Sequence, residues 1–163
     1  MSIGEIEINE KIFKKIMIFF IVLIFLFAGI LLIQYSVLRP YHFGNGTRAD
    51  EGGEIVKGVV VGQGNRMIEI TGYAYKKGQK IERFNSDFVL KNIESGKMYK
   101  LQTTMEKNHN LMEVDGLYDC SNAGMKAKAF IMGLKGGIYE ICIVYNNDGE
   151  DIFTQTGVMV EVK

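Results

Sequence analysis

The chain has 163 residues, with 19 Lys and Arg set against 19 Asp and Glu, so its formal net charge is zero. A neutral chain lacks the basic face that phosphate backbones require, and a nucleic-acid partner is excluded on that ground. Three charges of each sign precede residue 16. The remaining sixteen of each are scattered, as on a solvated surface.

Residues 1–15 are a short polar tail containing Lys11, Lys14 and Lys15. Ile16 to Ile33 follow as 18 uninterrupted apolar residues without a charge or a proline. A helix of that length spans roughly 27 Å, the thickness of bilayer hydrocarbon. The reading is a transmembrane signal anchor over 16–35, held in the lipid bilayer. Lysines on its N-terminal flank predict a cytoplasmic N-terminus and an extracellular C-terminal domain, in a single-pass cell-membrane protein. A cleaved signal is disfavoured, because signal h-regions run to about 7–15 residues and no A-x-A-like site follows. The span carries no ionisable residue that would mark a transport path. Its one glycine, Gly29, makes no small-xxx-small motif.

Residues 36–54 are Gly-rich and polar and read as a flexible juxtamembrane linker. Asn45-Gly46-Thr47 within them is a glycosylation sequon, with a flexible turn as the plainer reading.

Residues 55–163 read as β structure. Period-two alternation marks Ile55–Val61, Arg66–Tyr75, Asp87–Ile93, Lys97–Thr104, Met125–Met132, Ile138–Tyr145 and Ile152–Val162. Glu94-Ser95-Gly96 and Asp148-Gly149 supply turns, and Asp-Gly is a strong hairpin signal. A hairpin is also expected between Gly124–Met132 and Gly137–Asn146, turning at Leu134-Lys135-Gly136-Gly137. Leu111, Val114 and Leu117 are expected core contacts in the less regular stretch before it. About seven antiparallel strands after one transmembrane helix predict a mostly β protein with an immunoglobulin-like sandwich. No Trp is present, so the Trp-plus-disulfide core of antibody domains is missing.

Candidate sites are few. Cys120 and Cys142 are the only cysteines. In the expected hairpin they lie roughly 20 Å apart at strand rise. A disulfide needs Cα atoms within about 7 Å, so Cys120–Cys142 is disfavoured. Asp148, Glu150 and Asp151 offer oxygens to a Ca²⁺ ion, but the loop is shorter than the about twelve residues of an EF-hand, and a polar hairpin turn is the plainer reading. His42 and His109 form no zinc set. Tyr73 and Tyr75, beside Lys76-Lys77, are candidate sugar-stacking residues together with Tyr118. Packing within the sheet is the competing reading for Tyr73 and Tyr75. Gly62-Gln63-Gly64-Asn65-Arg66 lacks the following helix that a phosphate loop needs and reads as a hairpin loop. No G-x-S-x-G or H-E-x-x-H occurs, and no cofactor is expected. An enzyme of unfamiliar type would need a pocket gathering groups such as Asp115 and Asp119 near Lys126 or Lys128.

One pattern is familiar. It runs Ile68-x-Ile70-x-Gly72-Tyr73-Ala74-Tyr75, Gly78, Phe88-Val89-Leu90, Tyr99-x-Leu101, Gly124 to Phe130, then Gly137-x-Tyr139-x-Ile141-x-Ile143. It resembles the small immunoglobulin-like ectodomains attached to membrane proteins of low-GC Gram-positive bacteria. The resemblance implies a non-enzymatic binding or scaffolding module of the cell envelope, accessory to surface-polysaccharide assembly, with a membrane-protein or glycan partner. It carries no catalytic residue across. The alternatives are a glycan-binding module using exposed tyrosines and an envelope enzyme.

Overall fold

The computed structural model describes residues 10–36, 38–42, 44, 46–64, 66–111, 118–131 and 133–163. The expected core residues Val114 and Leu117, and Asp115, lie outside them, as do Asn45 of the sequon, Asn65, Met132 and the first nine residues of the tail. Contacts divide the chain into two compact units, Met1–Val37 and Leu38–Lys163.

The first unit holds a helix, α1 (Glu10–Ser36), of 27 residues. Its Ile12–Leu31 segment is long and apolar enough to cross a membrane, and none of it is buried within the protein. A helix suits that setting because every backbone group is satisfied inside its own segment. It begins six residues ahead of the apolar run and takes up Lys11, Lys14 and Lys15.

The second unit is mostly β. Its strands are β1 (Arg39–Tyr41), β2 (Arg48–Ala49), β3 (Ile55–Gln63), β4 (Met67–Lys76), β5 (Asp87–Asn92), β6 (Met98–Lys100), β7 (Thr103–Glu106), β8 (Gly124–Phe130), β9 (Gly137–Asn147) and β10 (Glu150–Val162). A six-stranded sheet has the order β1-β6-β5-β9-β10-β2, and a four-stranded sheet the order β3-β4-β8-β7. All described pairings are antiparallel except β2 with β10.

The inner faces meet in the main core. Phe88 and Leu90 of β5 and Tyr139, Ile141, Ile143 and Tyr145 of β9 pack with Ile68, Ile70 and Ala74 of β4 and Met125, Ala127 and Ala129 of β8. Alternate residues along each strand point inward, as period-two patterning requires. Each large aliphatic or aromatic side chain removed from water contributes roughly 1.5–3 kcal/mol. Tyr139 sits at the entry to β9, and its hydroxyl donates to the Lys135 carbonyl at 2.8 Å.

Three local expectations are corrected. The linker expected over 36–54 contributes β1 and β2, which pair with β6 and β10 at opposite edges of the larger sheet. The chain between Tyr41 and Arg48 therefore joins the two edges. Seven Cα steps reach at most about 25 Å, close to five interstrand spacings of about 4.8 Å. That sheet also has an outer face, turned away from the main core. Val89 and Cys142, on that outer face, are fully buried and cluster with Val144 and Phe153, with Tyr41 and Met98 packed against them. Glycine and polar content suggested flexibility, whereas the pairing of β1 and β2 ties both ends of the segment into the sheet, and Tyr41 packs on the outer cluster.

The expected β8–β9 hairpin does not form. β8 pairs with β4 and β7, and β9 pairs with β5 and β10, in different sheets. Both strands carry an apolar inner face, and the core is completed by setting those faces against each other between the two sheets. The single strand expected over Lys97–Thr104 is two. β6 ends in the larger sheet, Leu101 donates its N–H to the Phe88 carbonyl at 2.9 Å, and β7 joins the smaller sheet. The Thr103 hydroxyl then accepts from the Phe88 N–H at 3.0 Å, satisfying a donor that the ladder has left behind.

The turn between β9 and β10 follows the sequence. Asp148 and Gly149 have φ of 53° and 86°, the positive values of a two-residue type I′ turn.

Candidate functional site

The densest polar constellation lies where the β10–β2 edge of the larger sheet meets β3 and β4. Asp50 follows β2 and Glu54 precedes β3, so the short loop between them brings two carboxylates to this corner. Arg48 on β2 grips Glu54 with two hydrogen bonds, at 3.1 and 2.9 Å, and reaches Glu150 at 2.8 Å. Lys76, at the end of β4, closes the ring at 3.2 Å from both carboxylates. The bonds to Arg48, then Lys76, hold the Glu54 carboxyl down at about 2. Arg48 foremost, then Lys76, also lowers Glu150 below the usual carboxylate range. The Glu150 and Glu54 carboxylates raise Lys76 in return.

Beneath this ring is a more buried relay. The Asp50 side chain is 2 % exposed. It accepts from the Glu54 N–H at 2.7 Å and from the Thr154 hydroxyl at 2.9 Å. Thr154 in turn accepts from Lys57 Nζ at 2.6 Å, and Lys57 stands 3.6 Å from Asp50. Two cations meet two carboxylates in the ring, and one meets one in the relay. These groups use their charges on one another and clasp the two sheets. Among the described residues, no buried side-chain nitrogen or oxygen lacks a hydrogen-bond partner.

The aromatic candidates separate. Tyr73 and Tyr75 stack, with ring centroids 6.2 Å apart and planes 24° apart. Tyr75 is only 3 % exposed, packed with Leu111, Cys120 and Ala123 from the connection between β7 and β8. As the partner of an exposed sugar-stacking face it is corrected to a core residue, because that connection folds down over its ring. Tyr73 is half-buried over Gly58, where a Cβ would collide with the ring. Tyr118 is exposed at 41 %.

The acidic turn also disperses. Glu150 belongs to the clasp, Asp151 accepts from the Asn146 amide, and Asp148 lies 4.0 Å from Arg83. No group of three or more metal-ligating side chains occurs among the described residues. Cys120 and Cys142 are buried thiols in separate clusters and are not bridged. Burial pushes the Cys142 thiol up to about 12. His42 is exposed, and His109 lies in a 3-10 turn beside an open groove of about 390 Å³ shared with Thr71, Glu106 and Lys107. After β3 the Gly64 N–H donates to the Met67 carbonyl, continuing the β3–β4 pairing.

Of the groups that an enzyme reading would gather, Asp119 accepts from the Ser121 N–H at 2.8 Å. Lys126 and Lys128 turn to Glu69, at 2.8 and 3.4 Å. Arg48, Asp50, Glu54 and Lys57 were not singled out by sequence reasoning. Three of them fall in the segment read as linker, and Arg48, Asp50 and Lys57 each find a partner about a hundred residues away, in Glu150 or Thr154. Comparison of the chain with family models, with curated proteins and with solved structures finds no match in any of the three.

Proposed function

We propose that this chain is a single-pass membrane protein, N-terminus in the cytoplasm, presenting an immunoglobulin-like sandwich outside the cell. Its role is that of a non-enzymatic binding or scaffolding module of the envelope, accessory to surface-polysaccharide assembly. The order β3-β4-β8-β7 supports the immunoglobulin-like reading, since it corresponds to A-B-E-D, while β5-β9-β10 corresponds to C-F-G with β6 beside C. The Tyr139 hydroxyl, bonded to a carbonyl four residues upstream at the start of the F-like strand, fits a tyrosine corner. The exposed apolar helix, with Lys11, Lys14 and Lys15 on its N-terminal side, supports the anchor and its direction. One observation carries the choice of a binding role. The densest charged cluster is self-neutralised, so it joins sheets and leaves no positioned acid, base or nucleophile. The polysaccharide link rests on resemblance and is an analogy.

Two experiments test this. Membrane-impermeant maleimide applied to intact cells is expected to label Lys163→Cys and not Ser2→Cys, and the reverse pattern sinks the orientation. Replacing Leu38–Lys163 by an unrelated folded domain is expected to lower the surface-polysaccharide yield. An unchanged yield removes the assembly role.

A second reading, direct glycan recognition, is favoured by the half-buried Tyr73 ring, which lies over Gly58 and stacks with Tyr75. It requires Tyr73→Ala in the full chain to abolish binding to an immobilised cell-wall glycan.

A further inference from the structure

The edges of the two sheets are treated unequally. β7, β1 and β2 are edge strands of four, three and two residues. Short edges offer little template to another chain. β3 is also an edge strand, but it has nine residues, IVKGVVVGQ, with no proline and a single charge. That charge does not guard the edge, because Lys57 Nζ is bound to Thr154 and Asp50. Val60 is 73 % exposed, near the most exposed of the large apolar residues.

The ladder shows which backbone groups are left over. Gly64 donates to Met67 at 2.9 Å, and the β3–β4 register runs without a shift from Gln63↔Ile68 to Ile55↔Lys76. Hydrogen-bonded pairs alternate in an antiparallel ladder. Gly62, Val60, Gly58 and Val56 therefore direct their N–H and C=O groups at β4. Lys57, Val59, Val61 and Gln63 direct theirs away from it. Among the described residues, no backbone–backbone hydrogen bond joins β3 to any strand but β4, and the Gln63 side chain crosses to donate to the Glu161 carbonyl of β10.

A strand edge of this kind recognises another extended strand, and this one is symmetric about its own centre. Gly58-Val59-Val60-Val61-Gly62 reads the same in both directions. We propose that β3 pairs antiparallel with β3 of a second copy, on a two-fold axis at Val60. In that register Val59 faces Val61 of the other copy and Lys57 faces Gln63. All four directed their free backbone groups outward, so they become the hydrogen-bonded pairs. The two Val60 side chains meet in the non-hydrogen-bonded pair, where Cα atoms approach to about 4.5 Å. Gly58 faces Gly62, which leaves room for the Tyr73 ring above Gly58. No like charges are set opposite one another. A two-fold interface must be self-complementary, and a palindromic edge strand is. The pairing does not rest on the envelope role proposed above.

The test uses the full chain reconstituted at high dilution in phosphatidylcholine vesicles. Val60→Cys under mild oxidation is expected to give a disulfide dimer about tenfold faster than Ile138→Cys, an exposed position on the other sheet, because pairing raises the local thiol concentration. Energy transfer between fluorophore-labelled copies carrying the native β3 is expected to be lost in Val59→Pro, which removes an outward N–H without touching the β4 ladder. Val60→Lys, which sets like charges opposite each other, is expected to do the same should Val59→Pro fail to fold. Equal cross-linking rates at the two cysteines would overturn the proposal, as would energy transfer that persists in a folded edge variant.

Discussion

Tyr139 shows how one side chain fixes a strand. Its ring lies in the main core, and its hydroxyl holds the Lys135 carbonyl, so chain entry and core packing are joined. Tyr139→Phe keeps the ring and removes the bond. The expected loss is about 1 kcal/mol, read as a lower denaturant midpoint at unchanged slope. Cys142 is a small hydrophobe on the opposite face of the same strand. Both thiols are fully buried, so neither is expected to react with maleimide at pH 8 in the folded chain, and both should react in denaturant. The Cys142 thiol is raised from 9.0 to about 12. A raised value means that its contribution is complete below about pH 9 and is lost as pH climbs toward 12. The clasp has the opposite sign. Glu54 falls from 4.5 to about 2 and Glu150 is also lowered, chiefly by Arg48. Their contribution is present above about pH 4.5 and is lost as pH falls through that window. Arg48→Ala is expected to flatten this acid limb in a stability-versus-pH series, and added salt to weaken it in the parent chain.

At the scale of elements, β1 and β2 matter beyond their length. They end the two edges of the larger sheet, and Tyr41 of β1 packs on the outer cluster of Val89 and Cys142. β2 also brings Arg48 to Glu150, and Asp50 follows it to Thr154. A fragment beginning at Leu38 is expected to unfold cooperatively and stay monodisperse at low concentration. One beginning at Glu54 lacks both strands and is expected to lose cooperativity and aggregate, as followed by circular dichroism and sedimentation. Strand β4 was legible because it alternates over much of its length, and β5 and β9 because short apolar runs rich in β-branched and aromatic residues stand between turn signals. The Asp148-Gly149 turn was legible because that dipeptide tolerates two positive φ values in succession. The partner of β8 was not legible, since an apolar face has the same pattern whether its neighbour is in the same sheet or across the core. The aromatic site was half legible. Tyr73 and Tyr75 do stack, but the fate of Tyr75 depended on Leu111 and Cys120, more than thirty residues away.

At the scale of the whole molecule, α1 is expected to hold the chain in membranes through alkaline carbonate washing and to release it only into detergent. The sequence by itself determined the two properties that depend on local pattern. An unbroken apolar run is long enough for a bilayer however the rest folds, and period-two alternation makes strands wherever one face can be buried. Only the tertiary structure decided which strands are neighbours, that a segment read as linker supplies both edges of a sheet, and that scattered charges converge on Arg48 and Lys76. Those outcomes arise from contacts between residues distant in the chain. Their free energy comes from shared burial and paired charge, which no window along the sequence contains.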